Sequence, residues 1–327
     1  MAKAGINMTV KEENFRNLAF LWENYRHYFN APFFMHPRWL ESWWDIFNPG
    51  GQLYLRSLWN KEKLCGIAPL YVYGDTAYFI GSNDFFDYRD FLICRDGEGD
   101  FYSALLHDLR REGIGKMILE CLRPDSSVFT GLFPREDVEL YSEENDVSFE
   151  MELPADWQSY LNSISKKQRH EIRRKLRRLQ EKGEVSYKEL QGKDISNNDL
   201  RIFFEMFVKS REDKAEFLTP EREMFFHRIL DRMARENYLR MGCLELNNCP
   251  VGYTLHFVYD NRVFLYNSAH DIEYRPLSIG LMTKVFCIWE SIEREREIFE
   301  FLKGREIFKS RLGGREVPLY KCTIKLL

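Results

Sequence analysis

The chain has no C-x-x-C pair, no G-x-S-x-G turn and no apolar run near the ~18 residues that a membrane-spanning helix needs. Its net charge is only −4. Each absence excludes a class. Cys65, Cys94, Cys121, Cys243, Cys249, Cys287 and Cys322 are odd in number and scattered, which argues against a zinc site and a redox dithiol. Most sit among apolar neighbours, as small core residues do, and free thiols suit a reducing compartment. Residues 1–12 hold no apolar segment of signal-peptide length. The expectation is a cytoplasmic protein, with peripheral membrane contact left open. A slightly acidic balance gives no global reason to expect nucleic acid, and DNA is not an expected partner. No Ser–His–Asp motif or metal-ligand cluster stands out, so no metal is expected.

What is present is bulk and pattern. The 327 residues suit two domains, and 15% aromatic content, with 26 Phe, 17 Tyr and 7 Trp, supplies large cores. In the first half, helical periodicity covers Glu13–Phe29 and restarts at Pro37. Leu53–Trp59 and Leu64–Tyr73 read as a hairpin about Asn60-Lys61-Glu62-Lys63. Tyr78–Gly81, a helix over Phe101–Arg111 and a strand over Met117–Leu122 follow, then a looser segment. The second half repeats the order. A strand over Val185–Leu190 precedes helices over Leu200–Lys209 and Pro220–Arg235. A hairpin of Leu239–Leu246 and Val251–Tyr259, a strand over Val263–Ser268, a helix over 279–294, a strand over 297–302, a short helix near 305–311 and a last strand over Tyr320–Leu327 complete it. The boundary is expected near Pro154, giving domains 1–153 and 154–327.

Four pieces in order carry a family resemblance. The first is Phe34-Met35-His36-Pro37-Arg38-Trp39-Leu40 with Trp43-Trp44, and the second is Gly66-Ile67-Ala68-Pro69-Leu70. The third is the basic stretch Ser165 to Lys175. The last is the run from Phe264 through Arg275-Pro276-Leu277-Ser278-Ile279-Gly280 to Gly304-Arg305-Glu306-Ile307-Phe308-Lys309. Together they resemble the Fem-like and CelD-type branch of the GNAT acyltransferase superfamily. The resemblance implies an α/β (α+β) fold of two tandem GNAT-like domains, each a mixed, mostly antiparallel sheet flanked by helices. It implies an acyltransferase moving an acyl group from acyl-CoA to an amine on a sugar, amino compound or lipid precursor. Fem-like relatives that use aminoacyl-tRNA supply a second reading, with tRNA as partner, and a non-catalytic scaffold is a third.

Several residues are candidates for the chemistry. Ser278 is suited to cap a helix starting at Ile279, whose first N–H groups and macrodipole favour a pyrophosphate, with Gly280 admitting its close approach. An ordinary capped helix is the plainer explanation. Only Gly280 stands where the superfamily's phosphate loop has two spaced glycines. Between Lys166 and Arg178 lie eight Lys or Arg and one acid, Glu171. Ile164, Ile172, Leu176 and Leu179 form its packing stripe, and Arg169 and Arg173 are the preferred anion ligands, against a merely solvated face. Glu306 and Lys309, three apart, share a helical face and are expected to position an acceptor amine, against a surface ion pair. His270 is the candidate general base. Tyr266, Tyr88 and Arg89 are candidate substrate contacts, against packing.

Overall fold

The structure is a computed structural model and describes residues 8–29, 31–95, 97–133, 135–210 and 216–327. The chain divides into two units, the residues up to Asp146 together with Pro318–Leu327, and Val147–Val317.

In the first unit, β1 (Met8–Glu12), β2 (Gln52–Asn60), β3 (Lys63–Tyr73), β4 (Thr76–Phe79) and β6 (Lys116–Leu122) lie side by side, and β5 (Leu92–Ile93) pairs with β3. The expected β2–β3 hairpin is present, with Lys61 at φ 55° in its two-residue turn. Four helices flank the sheet: α1 (Phe15–Tyr25), α2 (Pro37–Phe47), α3 (Glu98–Arg111) and α4 (Ser127–Leu132). Pro37 opens α2, where its missing N–H costs nothing, and the His36 ring accepts from Arg38 N at 3.2 Å. Burial, then Arg38 and Arg26, push the His36 pKa down to about 3, so the ring is a neutral cap. The aromatic-rich first half is spent in the core: Trp22, Trp39, Phe33, Phe34, Phe86 and Phe101 are all buried.

β7 (Val138–Glu152) carries the chain into the second unit. Sequence reading missed it because Glu143-Glu144-Asn145-Asp146 breaks any strand-like pattern, although Val147, Phe149 and Met151 alternate inward. α5 (Trp157–Ser163) and α6 (Lys166–Gln180) follow. Ser165 caps α6, and Ile172 and Leu179 are its buried stripe, as the periodicity predicts. β8 (Val185–Gln191), α7 (Asn197–Ser210), α8 (Pro220–Arg235), β9 (Leu239–Leu246), β10 (Cys249–Tyr259), β11 (Arg262–His270), α9 (Ile279–Glu293), β12 (Ile298–Lys303) and α10 (Ile307–Arg311) complete the unit. Two short turns set its strand order. Asn247-Asn248 and Asp260-Asn261 all have positive φ, between 49° and 61°, as a two-residue hairpin with matching twist requires. Asn and Asp tolerate that conformation better than other side chains with a Cβ. The sheet order is β7-β12-β11-β10-β9-β8, antiparallel throughout except β11–β12.

The last strand, β13 (Arg315–Leu326), was expected to close the second domain. Its Pro318–Leu327 part belongs to the first unit, where Tyr320–Lys325 pair antiparallel with β6. The reason lies in side-chain alternation: Cys322 and Ile324 are buried against a strand whose inward residues include Met117 and Leu119.

One ion cluster anchors the second sheet. Glu300 on β12 is 1% exposed, and Arg262 at the start of β11 donates to it and, at 3.3 Å, to Glu150 of β7. Removing one partner of a buried pair leaves an uncompensated charge. Arg262→Met is therefore expected to lower the unfolding free energy by about 3 kcal/mol in urea titrations. Arg262→Met/Glu300→Gln should recover most of that loss.

Candidate functional site

β11 and β12 run parallel over only three register pairs, Arg262–Ile298, Val263–Phe299 and Phe264–Glu300, and then part. Each strand carries an irregularity just past that point. On β11 the register to β10 jumps from Leu265–His256 to Asn267–Leu255, making Tyr266 the extra residue. On β12 the register to β7 jumps from Glu300–Glu150 to Leu302–Phe149, making Phe301 the extra residue. A bulge bends its strand, and two bulges on neighbouring strands splay them. Leu302 at φ 64° and Gly304 at φ 106° then turn the chain out of the sheet.

The turn from β11 into α9 lies at the open end. Ser278 is not the side-chain cap that its position suggested. It adopts a left-handed φ of 59° and makes no cap hydrogen bond. Its Oγ instead accepts from Lys175 Nζ of α6 at 2.7 Å, and Arg178 Nη2 donates to Pro276 O at 3.2 Å. Ser278 O takes the N–H of Leu281 and Met282, so the N–H groups of Ile279 and Gly280 precede the helical ladder. Gly280 also has a steric role. A Cβ there would lie 2.8 Å from His270 Nδ1 and 3.0 Å from Cε1. The missing side chain makes room for this imidazole, which is the immediate neighbour of the helix start.

Of the two arginines singled out on α6, Arg169 donates to Asn162 Oδ1 at 2.7 Å, while Arg173 is exposed. Glu171 is spent on Arg174 at 2.6 Å and Lys175 at 3.5 Å. The Arg174 hydrogen bond, with the Arg174 and Lys175 charges, outweighs desolvation and pulls its pKa down to about 2.

Glu306 and Lys309 do meet, at 2.9 Å. Their environments differ. Lys309 is 3% exposed and donates to Leu302 O at 2.9 Å and to Lys303 O, capping the carbonyls where β12 ends. Glu306 is half-exposed beside it. Tyr266 lies among aromatics, 5.3 Å from Phe257 and 5.8 Å from Phe226 of α8. Tyr88 and Arg89 belong to the first unit and are both buried. Arg89 donates to Gly81 O at 3.0 Å and to Asn83 Oδ1, and Tyr88 sits 6.0 Å from Phe34 and 5.0 Å from Arg123. Both hold their loop.

His256, on β10, lies in the core, fully buried. Its Nε2 lies 3.0 Å from Glu189 Oε2 of β8, and its Nδ1 3.9 Å from Cys287 Sγ of α9. Glu189 also meets Arg294 at 3.1 Å. Nothing in the spacing of residues 189, 256 and 287 announces this cluster, which exists only once three elements pack. Burial alone would depress the His256 pKa, but the Cys287 sulfur and the Glu189 carboxylate outweigh it and raise it to about 10. A cavity of about 450 Å³ lies elsewhere in this unit, against Leu200, His227, Leu230 and Leu239, and no candidate residue lines it. Among the described residues, no group of three or more His, Cys, Asp or Glu could hold a metal, and no helix is long and apolar enough to cross a membrane.

Two outcomes are expected. Lys309→Met leaves strand-end carbonyls unsatisfied and should cost about 2–3 kcal/mol in urea unfolding, while Glu306→Gln should cost under about 1 kcal/mol. A folded pKa raised above the unfolded value of 6.5 stabilises fully below pH 6.5 and is lost as pH rises toward about 10. The stability gap between wild type and His256→Gln should therefore narrow steadily across that window in denaturant titrations.

Residues 166–310 match the family model described as an acetyltransferase (GNAT) domain. No curated protein matches the sequence. Among solved structures, the chain is similar to FemX, at 10% identity and TM-score 0.66 over 96% of each chain. It is similar also to a conserved protein of unknown function from Bacteroides thetaiotaomicron VPI-5482, at 11% identity and TM-score 0.60 over 97% and 99% of the two chains. A third likeness is to a tandem GNAT protein from the clavulanic acid biosynthesis pathway, at 9% identity and TM-score 0.51 over 97% and 98%. Residues 166–310 thus match a GNAT acetyltransferase domain, and the chain has the fold of the FemX and tandem GNAT structures.

Proposed function

We propose that this chain is an N-acyltransferase that moves an acyl group from acyl-CoA to an amine on a sugar, amino compound or lipid precursor. The observation that carries the reading is the parting of β11 from β12 along the strand that leads into α9. A parted pair leaves an opening in the sheet into which an extended thioester arm fits. The helix start beside it offers N–H groups and positive potential to the donor's pyrophosphate. Ser278, Ile279 and Gly280 would hold those phosphates, with Arg173 as an outlying cation.

The reaction asks little more. The acceptor nitrogen attacks the thioester carbonyl, a C–N bond forms, the C–S bond breaks, and the thiolate leaves with the pantetheine arm. One amine proton must go to a base. His270, the candidate base by residue type, packs against Gly280 at the phosphate end of an extended donor, so a water molecule at the thioester end is the proposed acceptor of that proton. Glu306 is the proposed partner of the acceptor amine, its carboxylate steered by the buried Lys309 ammonium. Most of the rate enhancement would come from orientation and exclusion of water.

A second reading, aminoacyl transfer from a charged tRNA, is favoured by one observation, the exposed arginines Arg173, Arg174, Arg177 and Arg178 along α6. Titration with acetyl-CoA and a longer acyl-CoA by calorimetry separates the two. Saturable binding is expected, weakened about tenfold in Arg173→Glu, whose exposed site should leave the fold intact. A folded protein that binds no acyl-CoA would refute the leading proposal and turn the search to charged tRNA.

A further inference from the structure

We infer that Lys175 is a positioning residue for the donor: it turns the Ser278 hydroxyl into an outward-facing donor for a phosphate oxygen. The inference rests on the reading of the α9 start as the donor-phosphate site and adds to it a pair of residues. An ammonium has only protons to give, so in the 2.7 Å contact Lys175 Nζ donates and Ser278 Oγ accepts. The proton of the Ser278 hydroxyl is thereby directed away from Lys175, and no acceptor among the described residues takes it. Ser278 stands one residue before Ile279, so this O–H joins the N–H groups of Ile279 and Gly280 that precede the helical ladder. The set is all donors, which suits an oxyanion and repels a cation or a carbonyl carbon.

The backbone supports the assignment. Ser278 sits at φ 59°, a conformation that glycine adopts without strain and serine does not. Its side chain makes no cap bond to α9, so helix capping does not explain a serine there. What the serine provides is the hydroxyl held by Lys175. Lys175 itself is fixed: its side chain is 16% exposed, and Glu171, one turn earlier, lies 3.5 Å away. Arg178, on the next turn of α6, ties down Pro276 O and fixes the turn against the same helix.

The test is the affinity for CoA, by calorimetry, of wild type, Lys175→Met, Ser278→Gly and the double variant. Ser278→Gly removes the hydroxyl and relieves the left-handed strain, so it should fold at least as stably as wild type while binding CoA about fivefold more weakly. Lys175→Met should weaken binding by no more than that, at most about fivefold. Because Lys175 acts through the hydroxyl, the double variant should bind far more tightly than the product of the two losses predicts. Wild-type affinity in Ser278→Gly, or fully multiplicative losses, would overturn the inference while leaving the donor reading standing. A wild type that binds no CoA would overturn both.

Discussion

The second unit is organised by two parallel strands prevented from staying together. β11 and β12 share three register pairs and then bulge apart at Tyr266 and Phe301. A parted strand end exposes backbone groups that must be satisfied some other way. At the closed end Arg262 bridges Glu300 and Glu150, drawing three strands together. At the open end the Lys309 ammonium takes the carbonyls of Leu302 and Lys303. One charged side chain at each end keeps the opening from either zipping shut or fraying.

This constraint changes the meaning of several residues that look chemical in sequence. Lys309 is buried because the end of β12 needs a cation. Gly280 is a glycine because the His270 ring occupies the space of a Cβ. Ser278 leaves α9 uncapped and meets α6 instead. In each case the motif residue builds local structure beside the parted strands, with the His270 ring packed against Gly280 and the Ser278 hydroxyl held by Lys175. The buried His256–Glu189–Cys287 cluster does comparable work deeper in the unit, tying β8, β10 and α9 together beneath the β11 bulge.

The elements whose pattern is local were legible in the sequence. Both hairpins, the α6 stripe of Ile172 and Leu179, and the order of strands around α9 follow from turn chemistry and periodicity. β7 was not legible, because its acidic middle hides an alternating end, and neither was the return of β13 to the first unit, since pairing across nearly two hundred residues leaves no local trace. For the site, the turn and the Gly-x-Glu-x-x-Lys run were visible as motifs. Which way each side chain points was not. Tyr88 and Arg89 illustrate this: an aromatic and a cation in a loop look exposed, yet their neighbours Phe34, Arg123, Gly81 and Asn83 enclose them. Lys175 was one cation among eight until its hydrogen bond to Ser278 singled it out.

The central claim is that the opening between β11 and β12 and the start of α9 together receive an acyl donor. Amide hydrogen exchange with and without saturating acetyl-CoA tests it most directly, because it reports on backbone groups at each position. The account predicts slowed exchange in two stretches, Leu265–His270 and Ile279–Met282, with little change in β8 and β9. Protection confined to other elements, or unchanged exchange in both stretches under saturation, would contradict it.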